Sequence, residues 1–132
     1  MKLQTATRLG LYAALELARD PERTLSAAEL AERFGVSGHH LAKVLQTLAT
    51  AGLVRGGRGA AGGYRFIANR RRTTLMDIVA LFEPPPGQRA REPGEGTDIG
   101  AALQKVLTEI DEIAEATLRS ISLETMLRTT GR

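Results

Sequence analysis

The stretch SAAELAERFGVSGHHLAKVLQTLATAG, from Ser26 to Gly52, restricts the fold more than any other part of the chain, because it sets two helices and the turn between them. Ser26-Ala27-Ala28-Glu29 is an S-x-x-E capping box, in which the hydroxyl and the carboxylate each satisfy a free backbone N–H at a helix start. The helix that it opens runs through Phe34 and buries Leu30, Ala31 and Phe34. Gly35-Val36-Ser37 then supplies a residue that tolerates a left-handed exit, an apolar plug and a side chain suited to cap the next helix. That helix spans about Gly38 to Ala51, placing Leu41, Val44, Leu45 and Leu48 inward and His39, His40, Lys43, Gln46 and Thr47 on other faces. Gly52 is its natural stop.

The flanks complete a small module. From Thr5 to Ala18, Ala6, Leu9, Ala13 and Leu17, with Leu11 and Ala14 beside them, recur at helical spacing until Pro21. After Gly52, Leu53-Val54-Arg55 and Tyr64-Arg65-Phe66-Ile67 are strand candidates, joined by the glycine-rich tip Gly56–Gly63. Thr74-Leu75-Met76-Asp77 opens a further helix carrying Leu75, Ile78, Val79 and Phe82, which Pro84-Pro85-Pro86 must stop. A Pro- and Gly-rich stretch runs to about Asp98. A long helix follows from about Ile99 to Ser120, with Ile99, Leu103, Val106, Ile110, Ile113 and Thr117 alternating four and three residues apart as a heptad seam, widened by Leu107, Ala114, Leu118 and Ile121. A short helix is expected from Ser122 to Arg128. The layout predicts a mainly α fold with a small β-hairpin wing: a winged helix-turn-helix over 1–83, a loop or linker over 84–98, and a long C-terminal dimerisation helix with the last helix over 99–132.

Composition narrows the function classes. With 132 residues the chain fits one compact domain, and it holds no cysteine, which excludes disulfides, thiolate zinc sites and cysteine nucleophiles. No apolar run approaches the roughly 20 residues of a membrane helix, and Met1-Lys2-Leu3-Gln4 opens no apolar leader segment, so a cytoplasmic protein with no membrane partner is expected. Residues 1–82 carry 12 Lys/Arg against 6 Asp/Glu, whereas residues 83–132 carry 6 against 9. Such asymmetry suggests that the first part meets a polyanion, and double-stranded DNA is the expected partner.

A helix presents its N-terminal residues to base edges when its far side is anchored in a core. Here that end is Ser37-Gly38-His39-His40, with Lys43 one turn on, while Arg55, Arg58 and Arg65 sit in the hairpin. A glycine-rich tip carrying one arginine suits a narrow minor groove. Ser37 is equally suited to pure capping, and the two roles are compatible. The His39-His40 pair diverges by about 100° on a helix, unlike zinc-binding pairs at i, i+4. The glycines of 56–63 lack the G-x-x-x-x-G-K-[ST] phosphate loop. Ser37 beside the histidines supplies neither an oriented base nor an oxyanion hole, so no enzyme is expected. Arg70-Arg71-Arg72 is either a solvated charge run or a contact to DNA backbone.

In these passages the chain resembles the Rrf2 family of bacterial regulators, whose better-known members include iron–sulfur and nitric-oxide sensors. The carriers are Met1-Lys2-Leu3, the stretch Ser26–Ile67 with its A-x-R-x-G-V-S turn and its wing ending in G-G-Y, TLMDIVALFE (Thr74–Glu83) and ISLETML (Ile121–Leu127). The resemblance implies a homodimer whose long helices cross, acting as a repressor-type regulator on a palindromic operator, with Ser37, His39, His40 and Lys43 as recognition-helix contacts and Arg58 and Gly59 as wing contacts. It breaks at the loop EPPPGQRAREPGEGTDI (Glu83–Ile99), where cluster-binding members carry three cysteines and this chain has none; position 8 is Arg8, where some relatives place a carboxylate nearby. No cofactor is therefore expected, and the signal falls to a small-molecule or protein effector. Two other readings stay open. One is a winged-helix module that binds a protein; the other is a small-molecule sensor with a pocket between core and long helix, lined by Tyr12, Phe34, Met76 and Phe82, which ordinary core packing would equally explain.

Overall fold

The computed structural model describes residues 2–57, 62–84 and 91–130, so Arg58 and Gly59 at the hairpin tip, and Pro85 and Pro86, lie outside the described residues. In chain order the elements are α1 (Thr5–Arg19), α2 (Ala27–Phe34), α3 (Gly38–Thr50), β1 (Val54–Gly56), β2 (Tyr64–Phe66), α4 (Leu75–Phe82), α5 (Asp98–Ser120) and α6 (Leu123–Arg128). This is a winged helix followed by a long helix, the expected class. Among the described residues no helix is long and apolar enough to cross a membrane.

Local chemistry sets most of the boundaries. Both capping boxes form: the Ser26 hydroxyl accepts the Glu29 N–H while the Glu29 carboxylate accepts the Ser26 N–H, and Thr74 and Asp77 do the same for α4. Gly35 leaves α2 at φ 69°, a left-handed conformation that side chains resist, and the Gly35 and Val36 amides return to the Glu32 and Ala31 carbonyls. α5 starts one residue before Ile99 because the Thr97 hydroxyl accepts the Gly100 N–H at 2.9 Å.

The ends of α1 are capped from far along the chain. Gln4 offers no side-chain cap; instead the Glu83 carboxylate accepts the Gln4 N–H at 3.1 Å and the hydroxyl of the fully buried Thr7. At the other end the Arg70 guanidinium donates to the Ala18 carbonyl at 2.9 Å. A carboxylate at a helix start and a cation at its end both complement the helix dipole. α4 crosses α1 at Gly10, where a Cβ would fall 2.3 Å from the Phe82 ring.

One core serves most of these elements. Leu9, Ala13 and Leu17 of α1 meet Leu30 of α2, Leu41, Leu45 and Leu48 of α3, Val54 and Phe66 of the hairpin, and Ile78 of α4. α6 belongs to it as well, although it follows the long helix in sequence. Leu123 is fully buried, its N–H donates to the Thr73 carbonyl at 2.8 Å, and the Leu75 N–H donates to Ile121 at 2.9 Å. α5 is different: it has no buried residue at all.

Candidate nucleic-acid interface

α3 is anchored on one side and open on the other. Leu41, Val44, Leu45 and Leu48 are buried, whereas Gly38, His39, Ala42, Lys43, Gln46 and Thr50 are exposed on the opposite face. Ser37, also exposed, caps the helix by accepting the His40 N–H at 3.1 Å, and His40 is half-buried at the flank. Ala42, Gln46 and Thr50 extend the outward stripe beyond the residues singled out from sequence. The signal was available, since at 100° per residue Gln46 projects within about 20° of His39.

The exit from α3 leads directly into the wing. Gly52 adopts φ 81°, and the Gly52 and Leu53 amides bond back to Ala49 and Leu48, each at 3.0 Å. β1 and β2 then pair antiparallel with Val54 opposite Phe66, Arg55 opposite Arg65 and Gly56 opposite Tyr64. Alternation buries Val54 and Phe66 and turns Arg55 and Arg65 outward, side by side. Two like charges directly across a ladder disfavour each other unless an anion lies over them.

A third strand-like contact escaped the sequence. Leu25, between α1 and α2, exchanges both backbone bonds with Tyr64, at 2.9 and 2.7 Å, and so ties the outer edge of the wing to the body. Gly63 permits this approach: a Cβ there would lie 2.9 Å from the Leu25 carbonyl carbon.

Electrostatically the region is one-sided. Between Glu32 and Asp77 the chain holds eight Lys/Arg and not one Asp or Glu. Within the Arg70–Arg72 run, Arg70 and Arg71 are paired with Glu124 of α6, at 3.7 and 3.1 Å, while Arg72 is exposed. The first two therefore fasten α6 to the body.

The seam residues of α5 face outward. Ile99, Leu103, Val106, Ile110 and Ile113 are between 47% and 79% exposed, and Thr117 is exposed with its hydroxyl donating to the Ile113 carbonyl at 2.9 Å. Leu118 and Ile121 pack instead on the chain's own core. The proposed pocket residues also find ordinary partners: Tyr12 and Phe34 stack with ring centroids 5.5 Å apart, and Phe82 covers Gly10.

Comparison with known proteins agrees with the winged-helix fold. Residues 3–129 match a family model described as Rrf2, iron-dependent transcriptional regulator. The chain is 47% identical over 128 residues, covering 97% of this chain and 82% of the relative, to a Rhodopseudomonas palustris protein named as the HTH-type transcriptional regulator BadM. Among solved structures, IscR of T. potens has a TM-score of 0.77 at 28% identity, covering 98% of this chain and 88% of that one. CymR of B. subtilis, titled the global cysteine regulator, has the same score and identity and covers 98% of each chain. The iron of the family description finds no matching ligands here. The chain has no cysteine, and among the described residues no three His, Asp or Glu side chains gather as a metal site.

Proposed function

The chain belongs to the Rrf2 family of transcription regulators, which are not enzymes, and on that premise we propose that it is a homodimeric repressor of a palindromic double-stranded DNA operator. The observation that carries the reading is the acid-free stretch from Arg33 to Met76, which spans α3 and the whole wing. A phosphodiester surface repels carboxylates and draws in Lys and Arg, so a 44-residue span with no acid, whose cations outside the pairs with Glu16 and Glu124 include Lys43, Arg55, Arg65 and Arg72, suits that partner.

In this reading α3 enters the major groove with Ser37, Gly38, His39, His40 and Lys43 toward it. Arg55 and Arg65, with Arg58 and Gly59 at the tip, track the adjacent backbone and minor groove. The apolar seam Ile99, Leu103, Val106, Ile110, Ile113, with Thr117 at its end, is covered by a second copy, since contiguous exposed apolar surface marks an interface. A twofold dimer then presents two copies of α3, and the operator mirrors that symmetry. The signal reaches the protein through a small-molecule or protein effector that changes the angle between the two DNA-binding halves, not through an iron centre.

The test is a footprint on the DNA upstream of its own coding sequence, with a salt titration and unrelated DNA as competitor. Two protected half-sites about one helical turn or more apart, surviving the competitor, are expected. Protection that vanishes into non-specific binding at every salt concentration refutes the reading.

A further inference from the structure

Glu16 lies on α1 and plays no part in the surface described above, yet the segments that lead into two elements of that surface converge on it. Its side chain is buried, with the residue 8% exposed, and its Oε2 meets Arg23 Nη2 at 3.0 Å and Arg33 Nη1 at 2.8 Å. Arg23 also donates to the Glu16 main-chain carbonyl at 3.0 Å, and its Nε is buried with no acceptor among the described residues, so Glu16 is the main anchor of that guanidinium. Arg23 stands two residues before Leu25, the residue that holds the outer edge of the wing through Tyr64. Arg33 stands in the last turn of α2, two residues before the Gly35 turn that sets α3.

Besides the packing of Val54 and Phe66 in the core, backbone hydrogen bonds among the described residues hold the wing to the body at two places. One is the turn from α3 through Gly52 and Leu53; the other is Leu25. A two-stranded ribbon is marginal by itself, so the angle between wing and α3 depends on both attachments being fixed relative to one another. The buried carboxylate ties the segment just before Leu25 to the last turn of α2, which leads through Gly35 into α3. Resting on the DNA-binding reading, we propose that Glu16 is a positioning residue that locks the wing to the orientation of α3, so that major-groove and minor-groove contacts fall in one register on the operator. It touches no DNA and acts through Arg23 and Arg33.

The proposal separates specific binding from mere folding. Lys43, Arg55 and Arg65 remain in place when Glu16 is changed, so non-specific affinity and its salt slope should not move. Specific binding, which needs both elements in register, should fall roughly tenfold, the usual scale of one coupling interaction. The experiment compares wild type with Glu16→Gln and Arg23→Gln by hydroxyl-radical and methylation footprinting on the operator, beside non-specific affinity and thermal unfolding. Arg23 is a third exposed and at the periphery, so its variant tests the link even if Glu16→Gln unfolds. The expected result is loss of wing-side protection in Arg23→Gln with major-groove protection retained, and loss of operator preference in Glu16→Gln at temperatures where it is fully folded. Wild-type protection on both sides in Arg23→Gln overturns the proposal. So does a Glu16→Gln variant that loses specific and non-specific binding together, in step with its stability. A wild type with no operator preference refutes the DNA-binding reading instead.

Discussion

Replacing Ile110 with glutamate should split the proposed dimer without unfolding the chain. Ile110 stands in the middle of the α5 seam, 47% exposed, and takes no part in the core cluster. Complete burial of an isoleucine is worth about 1.5–3 kcal/mol, so covering the exposed half contributes about 1 kcal/mol per copy. A carboxylate held in the covered seam without a partner costs a further 1–3 kcal/mol or so. A twofold interface contains the residue twice, so the total is about 4–8 kcal/mol, or a dimer dissociation constant raised by about 10³- to 10⁶-fold. Sedimentation equilibrium across a concentration series measures it directly, with far-UV circular dichroism as the folding control. The monomer should also lose high-affinity operator binding, since it offers a single half-site. Leu118→Glu is the contrast: Leu118 packs against the chain's own core, so that variant should lose stability first. A fully dimeric Ile110→Glu protein would refute the placement of the subunit contact.

Three other outcomes are expected. Arg58→Ala and Lys43→Ala should each weaken DNA binding, leave the dimer intact by sedimentation, and flatten the salt slope by about one unit if each meets one phosphate. Gly63→Ala should open the Leu25–Tyr64 pairing, because the new Cβ meets main chain at 2.9 Å; hydrogen exchange should lose protection at the Leu25 and Tyr64 amides and keep it at Leu45. Burial raises the Glu16 pKa, but hydrogen bonds from Arg23 and Arg33 and the charge of Arg19 outweigh it and leave the pKa below the ordinary glutamate value. The folded state therefore binds that proton less readily than the unfolded chain. Its contribution is complete above the ordinary glutamate range, about pH 4.3, and is lost as pH falls through the lower folded value. Urea midpoints from pH 7 downward should fall more steeply for wild type than for Glu16→Gln; parallel curves would refute the assignment.

The features legible in sequence were those whose cause is local. Ser26 with Glu29, and Thr74 with Asp77, lie three residues apart and need only a helix start to meet. The inward set of α3 follows from periodicity alone, and all four expected residues are buried. What stayed hidden joins distant parts of the chain. Glu83 caps α1 across 79 residues and Arg70 does so across 52; nothing near Gln4 or Ala18 announces either. Leu25 forms one bridge in an irregular segment, too short to show an alternating pattern. The Arg70–Arg72 run was ambiguous because its partner, Glu124, lies on α6. Within the interface, periodicity alone turns Gln46 away from the core, but it lies two turns past the helix start, where base-edge contacts are expected. Arg58 and Gly59 lie outside the described residues, and their role rests on the sequence resemblance.

The closing of the core by Leu123 imposes an order on synthesis. A chain leaving the ribosome N-terminus first has released α1, α2, α3 and the wing long before the leucine that fills the space beside them. α5 emerges in between, so no nascent chain can finish its core without having first presented its apolar helix. Completion of the body and emergence of the exposed α5 seam are thus ordered by the direction of translation. A message truncated after α4 would encode every candidate contact to DNA and still lack the Leu123 side chain of the core.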